Sequence, residues 1–377
     1  MSVIGILMFG RLVIDTGTRA VYPFIPQFAA GLGLTVVGFS WLLFVRAIAG
    51  VLGPLLGMLA DKFGRRTLMS LGLLAQAVGV AGVLALPGWW TAVPMFIFGL
   101  ALPAFIPAEQ AYLSDRVAYQ KRGRALAAVE FAWAISGIVS LPIIGWLIDA
   151  FGWRWPLLVL ALFSLLGAAA IWFGLPAAEH KTLTSLSLPD VWRVSLRPNV
   201  AAAIGVGFLL FLAVSILSTV WGIWLTFDFG LTASALGLVA TIAGLAELSG
   251  SGVSGLFIDR MGKQRGSMLG LLFCALIFLL LPATQHALVL AVGCLFLLSL
   301  GVEFTVVSLI PLYSEQAPEA RATVFALVGL GTAVSVAIGS PLTTTVWESV
   351  GLWGVSLTGA ASLLAALGLV WKFLRED

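Results

Sequence analysis

Eight charged side chains stand inside apolar runs of this 377-residue chain: Arg11, Asp15, Arg19, Arg46, Glu109, Glu130, Glu247 and Glu303. Arg11, Asp15 and Arg19 recur at i, i+4 and i+8, which places them on one face of a helix. If all are ionised, the five acids outnumber the three arginines by two. Apolar surroundings disfavour the ionised carboxyl, so some of these acids are expected to hold a proton that can be released and regained. That is proton-coupling chemistry. A structural reading of the same residues stays open: a self-neutralised ladder for Arg11, Asp15 and Arg19, and satisfied interhelical hydrogen bonds for Glu247 and Glu303. Glu130, a turn into its run, is expected in a network at the cytoplasmic edge, and Trp133, three residues deeper, could line a cavity.

Other chemistries find little support. His180 and His286 lie in a linker and at a helix boundary, and Cys274 and Cys294 lie within apolar runs, so neither a metal nor a redox site is expected. No G-x-x-x-x-G-K-[ST] occurs, so ATP is not expected as the direct energy source. No nucleophile constellation suggests an enzyme, and no cofactor is implied.

The elements that must position these charges are membrane helices. Hydrophobic residues make up 60% of the chain and charged residues 10%, against roughly 25% charged in a soluble domain. Mean hydropathy is +1.09. A bilayer asks for ~20 apolar residues per span, and cutting at charged, Gly or Pro positions gives twelve segments. These are 3–31, 36–59, 67–86, 91–115, 125–149 and 155–175, then 199–227, 232–257, 266–284, 288–314, 321–346 and 351–373. The polar stretch 176–198 links them. The expected fold is an all-α polytopic membrane protein with two six-helix bundles, 1–175 and 199–377. Three charges on one face are too costly to meet lipid, so Arg11, Asp15 and Arg19 must face the bundle or a wet cavity.

Orientation follows from the basic residues. Of twenty Lys and Arg, sixteen fall in alternate loops and the termini on one side, and only Arg154 falls in the opposite loops. This bias places both termini in the cytoplasm. The pI near 9.1 is then topological, and nucleic-acid binding is not expected. Trp89, Trp90, Trp153, Trp155, Trp347 and Trp353 fit an outer interfacial belt.

The chain also repeats itself. GMLADKFGRR (57–66) returns as GLFIDRMGKQ (255–264), an offset of 198 residues, and weaker echoes at similar offsets align Arg124 with Arg321 and Pro142 with Pro341. A charged hairpin at the same place in two halves indicates a transporter built from two repeats. Glycines Gly57 and Gly255, lacking Cβ, are expected to let neighbouring helices approach closely.

The pattern G-x-L-A-D-[RK]-x-G-R-[RK] resembles the signature loop of the major facilitator superfamily. The resemblance covers nearly the whole chain and is nearest to bacterial drug or sugar efflux permeases. It implies a conformational latch at Gly57, Asp61, Gly64, Arg65 and Arg66, and a weaker second latch at Asp259, because Lys263 and Gln264 replace the Arg pair. YPFIPQF (22–28) resembles the P-x-x-P ending of the first helix in efflux members. Gly137, Pro142 and Gly145 fit the fifth-helix motif of proton-coupled antiporters, although Leu141 stands where that motif has Gly. The Arg of the family's fourth-helix motif is absent near Met95 and Phe96, and Arg46 is one candidate for its relocation. The resemblance places Arg11, Asp15, Arg19 and Arg46, with Glu109, Glu247 and Glu303, at a substrate or coupling cavity.

The expected function is secondary active transport of a small solute across the plasma membrane by alternating access, as proton-coupled efflux by a monomer. A facilitator or symporter for an organic anion or sugar is the alternative, and a non-transporting sensor of the same fold is a third reading.

Overall fold

The computed structural model describes residues 2–117, 119–176 and 188–376. Linker residues 177–187, with His180 and Lys181, lie outside the described residues, as do the side chains of Lys121, Arg122, Arg124 and Asp259.

Long apolar runs with few breakers fold as helices because only a helix satisfies every backbone N–H and C=O without water. The helices are α1 (Val3–Arg19), α2 (Ile25–Leu32), α3 (Val36–Ile48), α4 (Gly53–Phe63), α5 (Arg65–Ala85), α6 (Ala92–Gly99), α7 (Ala101–Arg116), α8 (Tyr119–Ile135), α9 (Leu141–Phe151) and α10 (Arg154–Gly174). There follow α11 (Leu188–Ser195), α12 (Pro198–Phe229), α13 (Ala233–Met261), α14 (Lys263–Leu280), α15 (Leu288–Glu315) and α16 (Arg321–Phe373). Among the described residues, ten continuous helical stretches are long and apolar enough to cross a membrane. The last of them is two spans, turned at Gly351, whose φ of 70° and ψ of −156° favour a residue without Cβ. Counting α1 with α2 as a further span gives the twelve-helix fold. The first span is not continuous: it breaks after Arg19 and resumes at Ile25 with Pro26 near its start.

The packing is that of a protein in lipid. Large apolar side chains such as Phe173, Val289 and Trp371 face outward, while Ser40, Gln76, Ser136, Ser164, Thr219 and Ser340 are buried. Small and polar residues inside an apolar shell are what bring membrane helices together. In α5, Gln76 Nε2 donates to Val13 O at 2.9 Å and to Ser164 Oγ at 3.1 Å. Between α12 and α16, Thr219 Oγ1 and Ser340 Oγ lie 3.0 Å apart.

Two compact units are present: Met1–Thr184 with Thr232–Thr241, and Ser185–Leu231 with Ile242–Asp377. Each contains one copy of the charged hairpin. Gly64 and Gly262, 198 positions apart, make the same turn, at φ 92° and 85°. A side chain is strained at that φ, which explains why a glycine recurs there.

Candidate functional site

Helix α1 carries the central arginine, and its seat is set by glycines. A Cβ at Gly10 would come within 2.9 Å of Phe105, and one at Gly17 within 2.7 Å of Gln76. These approaches seat α1 against α7 and α5, and its charged face meets α7 and α8. Arg11 Nε donates to Asp15 Oδ1 at 3.0 Å and Oδ2 at 2.9 Å, one helical turn away. Its Nη1 donates to Glu109 Oε2 of α7 and to Glu130 Oε1 of α8, both at 3.1 Å. Its Nη2 donates to Glu130 Oε2 at 2.8 Å. One guanidinium thus holds three carboxylates. Asp15 and Glu109 are fully buried, whereas the Glu130 side chain is 47% exposed. Glu109 Oε1 is buried and has no hydrogen-bond partner among the described residues.

The site includes residues that the sequence alone places elsewhere. Glu130 belongs to the Arg11 cluster. Its helix begins at Tyr119 rather than near 125, so Glu130 lies about three turns in. Gln110 Nε2 donates to Glu130 Oε1 at 3.3 Å, a contact that only the pairing of α7 with α8 makes visible. Counting from the end of α7 at Arg116 and the start of α8 at Tyr119 sets Glu109 and Glu130 within about one helical turn of one level.

Of the other arginines, Arg19 stacks on Trp133 at 4.5 Å from the ring centroid and donates to Trp133 O at 3.3 Å. It lies against Gly137, where a Cβ would meet its Nη2 at 2.9 Å. Gly137 falls in a π-helical turn, Ser136–Ser140, a feature that often marks functional positions. Thr16 Oγ1 donates to Ser140 Oγ at 3.0 Å beside it. Arg46 is placed differently from the expectation of a relocated cavity arginine. It donates to Gly17 O at 3.4 Å and Thr18 O at 3.1 Å and stacks over Phe98 at 4.5 Å. A cation on carbonyls near a helix C-terminus is a structural cap. In the second unit, Glu303 of α15 accepts from Ser251 Oγ of α13 at 2.6 Å, and Glu247 lies half-buried one turn before Ser251.

The two charged hairpins make matching contacts. Arg65 pairs with Asp115 at the end of α7, and Lys263 pairs with Glu315 at the end of α15. Arg66 Nη1 donates to Leu175 O at 3.0 Å, and Gln264 Nε2 to Leu374 O at 2.7 Å. Arg116 donates to Pro176 O at 3.2 Å, and Gln316 to Arg375 O at 3.1 Å. The second copy therefore makes the same kind of pairing with Lys263 and Gln264 in place of the Arg pair. Among the described residues the expected close approach at Gly57 and Gly255 is not made, since a Cβ at either would meet nothing within 4 Å. Asp61 has no hydrogen bond or ion pair among the described residues, so a latch through it is unengaged here. No group of three or more metal-ligating side chains occurs among the described residues.

The sequence profile of the Major Facilitator Superfamily matches residues 7–211 and again 203–377. The uncharacterized MFS-type transporter YwfA of Bacillus subtilis (strain 168) is 26% identical, over 97% of this chain and 89% of its own. The multi-drug resistance efflux pump PmrA of Streptococcus pneumoniae serotype 4 is 25% identical, over 84% of this chain and 81% of its own. The fold is similar to that of a bacterial homologue of the human lysosomal transporter Spinster in an inward-facing, unoccupied conformation. The TM-score is 0.74 at 14% identity, covering 98% of this chain and 94% of that one.

Proposed function

Because the chain belongs to the major facilitator superfamily, we propose that it is a proton-coupled exporter of small solutes working by alternating access, with the Arg11 cluster as its coupling site. It acts at the plasma membrane with both termini in the cytoplasm, as the distribution of Lys and Arg supports.

The observation that carries the proposal is the ratio of three carboxylates to one guanidinium. Charge-assisted hydrogen bonds of ~1.5–3 kcal/mol each offset the burial of an ionised Asp15 and Glu130. The single guanidinium is already outnumbered by Asp15 and the half-exposed Glu130, so a further negative charge at buried Glu109 would cost several kcal/mol more. A proton on Glu109 removes that cost, and its unpartnered Oε1 is where the proton sits. Glu130, half exposed, connects the cluster to water. When Glu109 loses its proton, the surplus negative charge favours either another proton or a cationic solute. Competition of this kind couples the two fluxes in opposite directions. An organic anion is the poorer substrate, because Arg11 is occupied by carboxylates and Arg46 by backbone carbonyls.

The efflux assignment draws on the relative named as a multi-drug resistance efflux pump. Proteoliposomes with a pH-sensitive dye inside test it. Adding a lipophilic cation to vesicles holding a proton gradient should dissipate that gradient only when the protein is present. Equal dissipation in protein-free vesicles across a panel of cations would refute proton-coupled export.

A further inference from the structure

One aromatic side chain of α8, beside the Arg11 cluster, has a face already in use. Arg19, the last residue of α1, lays its guanidinium over the Trp133 ring, 4.5 Å from the centroid. Its Nη1 also donates to Trp133 O at 3.3 Å. A planar, delocalised and weakly hydrated cation pairs well with an indole. Gly137 leaves room for it, because a Cβ there would lie 2.9 Å from Arg19 Nη2.

The surroundings are wet. Glu130 stands three residues before Trp133, on the same face of α8, and is exposed. Gln110 of α7, which donates to Glu130 at 3.3 Å, is exposed as well. A carboxylate at the level of Arg11 is too costly to meet lipid, so its exposed side faces water. Trp133 and Arg19, both half-buried, border the same surface. An indole face beside a carboxylate suits an organic cation.

The Arg19 contact can be given up at low cost. Ser136 Oγ donates to Trp133 O at 2.7 Å, so that carbonyl keeps a partner when Arg19 leaves. Asp15 lies one turn before Arg19 on α1, within reach of the departing guanidinium.

We propose that the Trp133 indole is the recognition face for planar, delocalised organic cations, and that Arg19 holds it as an internal stand-in until solute displaces it. Glu130 supplies the counter-charge. The site rests on the reading of the protein as an exporter of cationic solutes. It deepens that reading by selecting solutes shaped and charged like the guanidinium now in place.

Equilibrium binding of ethidium, a planar fluorescent cation, to the full-length protein in lipid nanodiscs without any ion gradient tests the site. Trp133→Leu should weaken binding severalfold, and Trp133→Phe, which keeps an aromatic face, should weaken it less. Arg19→Gln should tighten binding severalfold, because the face loses its internal occupant. Arg19→Lys, which keeps a cation, should bind like the unmodified protein. In the Trp133→Leu background, Arg19→Gln should give no tightening. A gain of affinity in Arg19→Gln cannot be imitated by a folding defect. Unchanged affinity in Trp133→Leu, or no saturable ethidium binding by the unmodified protein, would overturn the proposal. Unchanged or weaker binding in Arg19→Gln would also overturn it, leaving the stack a fixed structural contact. Failure of proton coupling would leave these gradient-free affinities standing, so the two readings fail separately.

Discussion

Arg11 and Glu130, 119 residues apart in sequence, meet through both terminal nitrogens and both carboxylate oxygens, at 3.1 and 2.8 Å. This two-pronged pairing fixes orientation as well as charge. It joins an arginine whose side chain is 5% exposed to a carboxylate that is 47% exposed. Arg11 is thus the link between water and the two buried acids.

Removing that link should be costly. Arg11→Met leaves Asp15 and Glu109 without a cation, a loss of about 3–5 kcal/mol for a broken buried pair. Thermal unfolding of purified protein should show it as a clear drop in midpoint. The drop should shrink when Asp15→Asn is added, because the two changes share one network. Additive effects would mean that Arg11 and Asp15 are independent.

The latch should separate function from stability. Asp61 has no partner among the described residues, so Asp61→Asn should shift stability by no more than about 0.5 kcal/mol yet slow transport. Arg65→Ala and Lys263→Ala should each lower stability to a similar, modest degree, since both copies pair with a carboxylate. A slight effect at Lys263 beside a large one at Arg65 would contradict the equivalence.

The twelve spans were legible because each is a long apolar run, and the duplication because Gly64 and Gly262 must both supply a positive φ. The Arg11–Asp15 contact was legible from i, i+4 spacing. The partners on α7 and α8 were not, since neighbouring helices meet at depths set by where each begins. Starting the fifth span near 125 put Glu130 near the edge, and the start at Tyr119 carries it into the Arg11 cluster. Arg46 misled because sequence gives its depth but not its direction, and it turns to the carbonyls ending α1.

The carboxy-terminal tail offers a pH test outside the membrane. Backbone N–H groups of Lys263 and then Gln264 donate to Glu376 and hold its carboxyl below the usual glutamate range. A lowered native value stabilises the docked tail above the ordinary glutamate range, and that contribution is lost as pH falls through the lowered value. Exchange of the Lys263 and Gln264 amides, corrected for intrinsic pH dependence, should stay slow at neutral pH and quicken on acidification. Glu376→Gln should be faster already at neutral pH, and an unchanged rate in that variant would contradict the docking.

Gly99 tests the packing around Arg46. A Cβ there would fall 1.9 Å from Arg46 O, so Gly99→Ala forces α3 and α6 apart. The cost should lie at or beyond the upper end of the ~1–3 kcal/mol typical of overpacking. Thermal stability reads it, with Gly57→Ala, which meets nothing within 4 Å, as the control. Equal stability of the two variants would contradict the close approach.

The coupling claim is tested most directly by Glu109→Gln in proteoliposomes, with Asp15 and Glu130 left intact and a lipophilic fluorescent cation as solute. Glutamine imitates the protonated acid permanently, so the variant should still exchange the cation between equal pools. It should lose accumulation driven by an imposed pH gradient. Gradient-driven accumulation equal to that of the unmodified protein would contradict proton coupling at the Arg11 cluster.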